Sequence, residues 1–230
     1  LGVEHLRTLA TVDLFVSYFY NKGEVKRSET MMIAVRQKLA DVLGPQHPAV
    51  VTTYNNNLAL IYRKRGEHAK AESLLIEVIT LSREQYGANS EKTLGHQYNL
   101  AVLYKDMGQF QKAEPLLMNV HKEQTAVLGN KHAKTLLTLL SLANLYNSQG
   151  LKEKSLSLYV EILDSQKETL GESHMDTVKT MNNLAGVYHS LNRIEPAEQY
   201  YLESLDNATS LVGEIHPTTI IILTNLGHFY

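Results

Sequence analysis

The residue pair Leu-Gly, usually followed by a histidine three residues after the glycine, returns through the chain at an almost fixed interval. The copies are Leu1-Gly2-Val3-Glu4-His5, Leu43-Gly44-Pro45-Gln46-His47-Pro48, Tyr86-Gly87, Leu128-Gly129-Asn130-Lys131-His132, Leu170-Gly171-Glu172-Ser173-His174 and Val212-Gly213-Glu214-Ile215-His216-Pro217. Their glycines are 42, 43, 42, 42 and 42 residues apart. A period of that size sustained to the end of a chain demands one supersecondary unit per copy, stacked on its neighbours. One interval is longer by a single residue, and the pattern breaks at Thr53 to Asn57, where three consecutive asparagines stand.

A second signature lies inside each unit. Leu58-Ala59-x-x-Tyr62 matches Leu100-Ala101-x-x-Tyr104, Leu142-Ala143-x-x-Tyr146 and Leu184-Ala185-x-x-Tyr188, with looser copies at Phe15-Val16-x-x-Phe19 and Leu226-Gly227-x-x-Tyr230. Leu and Tyr at this spacing share one helical face. Four residues after the tyrosine comes Gly66, Gly108, Gly150 or Asn192, and Gly23 holds the same place after Phe19. These residues tolerate positive φ and so can close a helix. Five residues further on stands a small residue: Ser28, Ala71, Ala113, Ser155 or Ala197. An apolar-periodic run then follows, as in Ala71, Leu74, Leu75, Val78 and Ile79. Each unit therefore reads as an antiparallel hairpin: a helix A of roughly 15 residues, a tight turn and a helix B of roughly 17. The paired small residues let the two helices cross closely.

The spacing predicts repeats at 1–42, 43–85, 86–127, 128–169 and 170–211, with 212–230 supplying a sixth helix A alone. The expected fold is a single all-α, right-handed α-solenoid of five full hairpins and one extra helix. A propeller blade has a similar period, but it requires four short strands and tryptophan signals; this chain has no tryptophan and a helical periodicity. HEAT and armadillo repeats share the length, but the Leu-Ala-x-x-Tyr…Gly…Ala order favours the tetratricopeptide type. The stretch from Leu170-Gly171 through Asn182-Asn183-Leu184-Ala185 to Ala197-Glu198-Gln199-Tyr200-Tyr201, and the run Gln111-Lys112-Ala113-Glu114-Pro115-Leu116-Leu117, resemble the 42-residue tetratricopeptide repeats of kinesin light chains and nephrocystin-type proteins. The first unit departs most from that pattern.

The resemblance implies a non-enzymatic interaction module whose A helices line a concave groove that holds a partner peptide. Its sharpest form is a cargo or signalling adaptor. A structural or oligomerising scaffold, or the regulatory arm of a signalling NTPase, is the alternative. The groove residues it implies are those just before the buried leucine, Asn57, Asn99, Asn183 and Asn225, with Ser141 and Leu14 in the remaining units. An asparagine amide both donates and accepts, so a ladder of them could hold an extended backbone, or could simply keep the repeat joints polar. Asn56, Asn182, Asn144, Asn147 and His189, with the cations Lys105, Lys179 and Arg63, complete the candidate surface, which would suit a partner with some acidic residues.

Composition removes other classes. A net charge of −2 gives no basic surface for nucleic acid or anionic membrane. The absence of cysteine excludes disulfides and thiolate chemistry and fits a cytoplasmic location. No apolar run nears the ~20 residues that span a bilayer. No phosphate loop or Ser-His-Asp arrangement is present, so no catalytic residue, cofactor or metal is expected. The recurrent histidines His5, His47, His132, His174 and His216 lie one unit apart, about 10 Å for packed helices, whereas zinc ligands must converge at about 2.1 Å. They read as helix starts, followed by Thr8, Thr93, Thr135, Thr177 and Thr219. The recurrent tyrosines read as core wedges, and Pro115 as a slight bend in its helix. The sequon at Asn207 carries no weight inside a helical pattern. The opening without methionine suggests an excised piece. At the other end, Ile220, Ile221, Ile222 and Leu223 suggest either continuation beyond Tyr230 or packing against a second copy.

Overall fold

A computed structural model describes residues 14–16, 18–20, 22–45 and 47–230. His5, Thr8 and the first Leu-Gly box lie outside the described residues. The elements are helices throughout: α1 Val25–Leu43, a π-helical segment Ala49–Asn55 leading into α2 Asn56–Lys64, α3 His68–Tyr86, α4 Glu91–Asp106, α5 Phe110–Leu128, α6 Ala133–Ser148, α7 Lys152–Leu170, α8 Met175–Ser190, α9 Ile194–Val212 and α10 Pro217–Phe229. The intact A helices have 16 residues and the B helices 19, slightly longer than the sequence pattern suggests. The chain divides into two compact units, residues 1–116 and 117–230, with the boundary inside α5.

Each hairpin closes in the same way. The residue after the turn glycine donates its N–H to the carbonyl of the signature aromatic: Glu24 to Phe19, Glu67 to Tyr62, Gln109 to Tyr104, Leu151 to Tyr146 and Arg193 to Tyr188, all at 2.8–3.0 Å. This bond satisfies a carbonyl that the helix end leaves without a partner, and it places the turn residue in the left-handed region. Gly66, Gly108 and Gly150 have φ of 76°, 71° and 77°, and Asn192 is the one described non-glycine residue with positive φ, at 57°. The small-residue pairs then meet. Ala59 and Ala71, Ala101 and Ala113, Ala143 and Ser155, and Ala185 and Ala197 are all 0% exposed. Where the B-helix partner is serine, its hydroxyl donates across the crossing: Ser28 Oγ to the Val16 carbonyl at 3.0 Å, and Ser155 Oγ to the Ala143 carbonyl at 2.9 Å.

The A helices start at the box, as expected. His132, His174 and His216 are N-caps whose Nδ1 accepts the N–H two residues on, at 3.2 Å. Ser90 takes the place of histidine in the third box and caps Thr93. The threonines add a second tie: Thr93, Thr177 and Thr219 each donate Oγ1 to the carbonyl of their box glycine at 2.8 Å. The extra residue of the second unit is absorbed by the π-helical segment. Leu58 lies fourteen residues after Gly44, while its counterparts lie thirteen after their glycines. A wider helical turn takes up one residue and leaves both flanks in register. α5 runs through Pro115 as one helix.

In the first unit the core joins Val16, Met32, Leu39, Val50, Tyr54, Leu58 and Ile61. In the second, Leu139, Ala143, Leu156, Tyr159, Ile162, Leu163, Met181, Leu184 and Val187 form a core cluster.

Candidate functional site

In the first unit, the π-helical segment and α2 pack beside α4, which brings asparagines of successive repeats together. Asn99 Nδ2 donates to Asn56 Oδ1 at 2.9 Å, and His96 Nδ1 lies 3.2 Å from the same oxygen. Asn57 stands next to them, half-exposed. These residues open into a cleft of about 490 Å³ lined by His47, Pro48, Thr52, Asn56, Asn57, Gln85, Tyr86, Lys92 and His96. Lys92 lies over the Tyr86 ring at 4.2 Å and makes no ion pair with a described residue. Burial, and then the Lys92 charge, hold the His96 imidazole below its ordinary pKa. The cleft therefore combines one uncompensated cation, a neutral imidazole, amide groups and an aromatic face. That set suits an acidic side chain or an extended backbone.

The remaining candidates of this unit sit near the end of the same helices. Arg63 Nε and Lys105 Nζ both lie 3.6 Å from the Asp106 carboxylate. One acidic group thus lies between the two cations and reduces their pull on an anionic partner.

The second unit repeats the amide tie. Asn225 Nδ2 donates to Asn182 Oδ1 at 3.1 Å, and Asn182 is buried. Asn144 has a different partner: Tyr159, from helix B of its own hairpin, donates its hydroxyl to Asn144 Oδ1 at 2.6 Å. Burial pushes the Tyr159 phenol up to about 12, against a lowering bond with Asn183. Asn144 and Asn183 thus converge on one buried tyrosine. Lys179 is exposed and pairs with Asp176 on its own helix at 3.8 Å. Asn147 Oδ1 accepts from Lys152 at 2.8 Å beside the turn, and His189 stands edge-on to Phe229 at 5.1 Å. Leu14 is exposed and Ser141 buried.

His96, Lys92, Tyr86 and Asp106 are absent from the sequence-based set. Tyr86, His96 and Asp106 do not recur at their repeat positions, and Lys92 returns as lysine only at Lys134, so the periodic pattern does not single them out. Among the described residues, no group of histidines and carboxylates is arranged to hold a metal ion, and no helix is long and apolar enough to cross a membrane.

Residues 50–118, 93–167 and 136–210 each match the tetratricopeptide repeat family. A putative kinesin light chain of nearly identical TPR-like repeats from Podosopora anserina is similar in structure at TM-score 0.72 and 22% identity, over 89% of this chain and 97% of that one. BtubC (BKLC) from P. vanneervenii is similar at TM-score 0.73 and 23% identity, over 90% and 83%. NprR in complex with its cognate peptide NprX is similar at TM-score 0.66 and 17% identity, over 100% and 62%. No curated protein matches the sequence.

Proposed function

Because the chain belongs to the tetratricopeptide repeat family, we propose that it is a protein-interaction module that receives a segment of a partner protein on its A helices. The cleft at Asn56, Asn57, Lys92 and His96 is the acid-preferring part of that surface. The uncompensated Lys92 cation in the same cleft as the half-exposed Asn57 carries this reading. A structural neighbour solved with its cognate peptide supports a peptide-sized ligand. Asn57 and Lys92 are the residues that meet the partner. Asn99, Asn182 and Asn225 spend part of their capacity on joints between repeats, and Lys105, Arg63 and Lys179 contribute less because each faces a carboxylate. A cargo adaptor is the specific form we favour.

Peptide display against the intact chain tests this. Wild type should enrich sequences with acidic residues, and Lys92→Glu together with Asn57→Ala should lose them. Enrichment of the same sequences by both chains would overturn the assignment.

The asparagine joints favour a second reading, a scaffold that spaces other elements without filling its groove; no display enrichment above background would support it. Self-association is part of that reading. Ile220, Ile221 and Leu223 of α10 are each about half exposed, at 50%, 56% and 45%. Light scattering should then show a mass that rises with concentration and falls back in Leu223→Lys. A constant monomer mass would remove α10 as a contact between copies.

A further inference from the structure

The first unit holds a second cleft, of about 560 Å³, between the B helices α1 and α3. Its floor is Asn55, Leu58 and Tyr62, and its walls include Ile33, Arg36, Ser73 and Leu74. The floor residues occupy one face of helix A at i, i+3 and i+7, while Asn56, Asn57 and Arg63 occupy the other. This cleft is therefore separate from the asparagine cleft.

The repeat itself supplies a standard for judging the site. Arg36 lies eight residues after the small residue Ser28, and its counterparts are Ile79, His121, Leu163 and Leu205. Asn55 lies three residues before the signature leucine, where the later repeats carry Gln97, Leu139, Met181 and Leu223. Between the fourth and fifth repeats the two positions hold Leu163 and Met181, both in the core. Here a cation and a fully buried amide replace that apolar contact. Arg36 Nε donates to Asn55 Oδ1 at 2.7 Å, and Asn55 Nδ2 donates to Glu77 Oε2 at 3.0 Å. A bonded polar network in a buried joint is often no more stable than the apolar pair it replaces, so packing stability alone does not favour it here.

Two further details keep the cleft open and positive. Arg36 spends only Nε on Asn55, and no described carboxylate lies within ion-pair distance of its guanidinium. In the next repeat the signature tyrosine spans the corresponding joint, with Tyr104 Oη donating to Glu72 at 2.8 Å. The residue matching Glu72 is Glu29, which bonds Arg65 instead. The Tyr62 hydroxyl therefore makes no hydrogen bond across the cleft, although Lys70 lies over its ring at 5.2 Å and pairs with Glu67 at 2.6 Å.

The geometry points to a second docking site for a partner protein, one that takes an apolar side chain against Ile33, Leu58 and Leu74 with a neighbouring carboxylate on Arg36. The occupant is a short segment in which a leucine-sized residue adjoins an acidic one. A basic segment would meet the Arg36 guanidinium unfavourably.

The test uses the intact chain and the peptide acetyl-Leu-Glu-Leu-Glu-amide, with acetyl-Leu-Lys-Leu-Lys-amide as its opposite, followed by amide NMR shifts. The acidic peptide should shift Ile33, Arg36, Ser73 and Leu74, and the basic peptide should not. Ser73→Trp, at an exposed wall position, should fill the cleft and abolish the shifts. Arg36→Leu, which installs the leucine found at this position in the fourth and fifth repeats, should weaken binding at least about tenfold, the scale of one hydrogen bond to a charged group. Equal response to both peptides, no shift at these four amides, persistence in Ser73→Trp, or an Arg36→Leu chain that binds like wild type would each overturn the proposal. Shifts at Asn57 and His96 alone would assign the peptide to the asparagine cleft and overturn this one.

Discussion

At the residue scale, the recurring tyrosine shows how one position serves packing in several ways. A cation eight residues later covers the ring in four hairpins: Arg27 over Phe19 at 4.1 Å, Lys70 over Tyr62 at 5.2 Å, Lys112 over Tyr104 at 4.9 Å and Lys154 over Tyr146 at 5.3 Å. The fifth hairpin has Pro196 at that position, and Tyr200 stacks on Tyr188 at 5.8 Å instead. The crossing position tolerates less. Ser155→Ala should cost no more than about 1 kcal/mol, since it loses one hydrogen bond and matches the alanines of other repeats. Ser155→Leu should cost roughly 1–3 kcal/mol or more by overpacking; urea unfolding of both variants measures the difference.

Two histidines carry a pH prediction. Burial holds both His96 and His121 below the ordinary imidazole value. The unfolded chain then binds protons that the folded chain refuses. The stabilising contribution is complete above the unfolded pKa of about 6.5 and is lost as pH falls through the lower folded values. Melting temperature should drop as the solution is acidified below that point, and less steeply in a His96→Asn, His121→Asn chain. Equal slopes in the two chains would contradict the burial argument.

At the scale of elements, the hairpin was legible because its signals are local. The turn glycine, the small residue and the Leu/Tyr face are fixed by contacts within about forty residues. The single-residue excess before Leu58 was visible too, but its conversion to a π-helical turn depends on both flanks being held in register, which spacing alone does not reveal. Deleting Thr53 should restore the common interval. The A helix should then become α-helical throughout, with a melting temperature equal to or above wild type, since the i→i+5 pattern is the rarer geometry. Loss of cooperative unfolding would contradict that account of the extra residue. In the turns, Gly150→Ala should cost roughly 1–2 kcal/mol because a Cβ is disfavoured in the left-handed region, while Asn192→Gly should be neutral or stabilising. Thermal unfolding reads both.

At the scale of the whole molecule, what repeats is architecture and what departs from it is the candidate chemistry. The asparagines announced themselves through periodicity, yet the structure gives Asn99, Asn182 and Asn225 partners one repeat away. Contacts over 43 positions depend on how neighbouring hairpins pack, which no local pattern encodes. His96 stands apart for the opposite reason, being unique to one repeat, and Lys92 returns only once, as Lys134. Arg36 and Asn55 likewise become conspicuous only when compared with their counterparts in other repeats.

Hydrogen exchange of the intact chain, with and without a display-selected acidic peptide, measures directly whether the A helices receive the partner. The account predicts added protection in α2 and α4, around Asn57 and His96, that disappears in Lys92→Glu. Protection confined to B helices, or unchanged by that substitution, would contradict it.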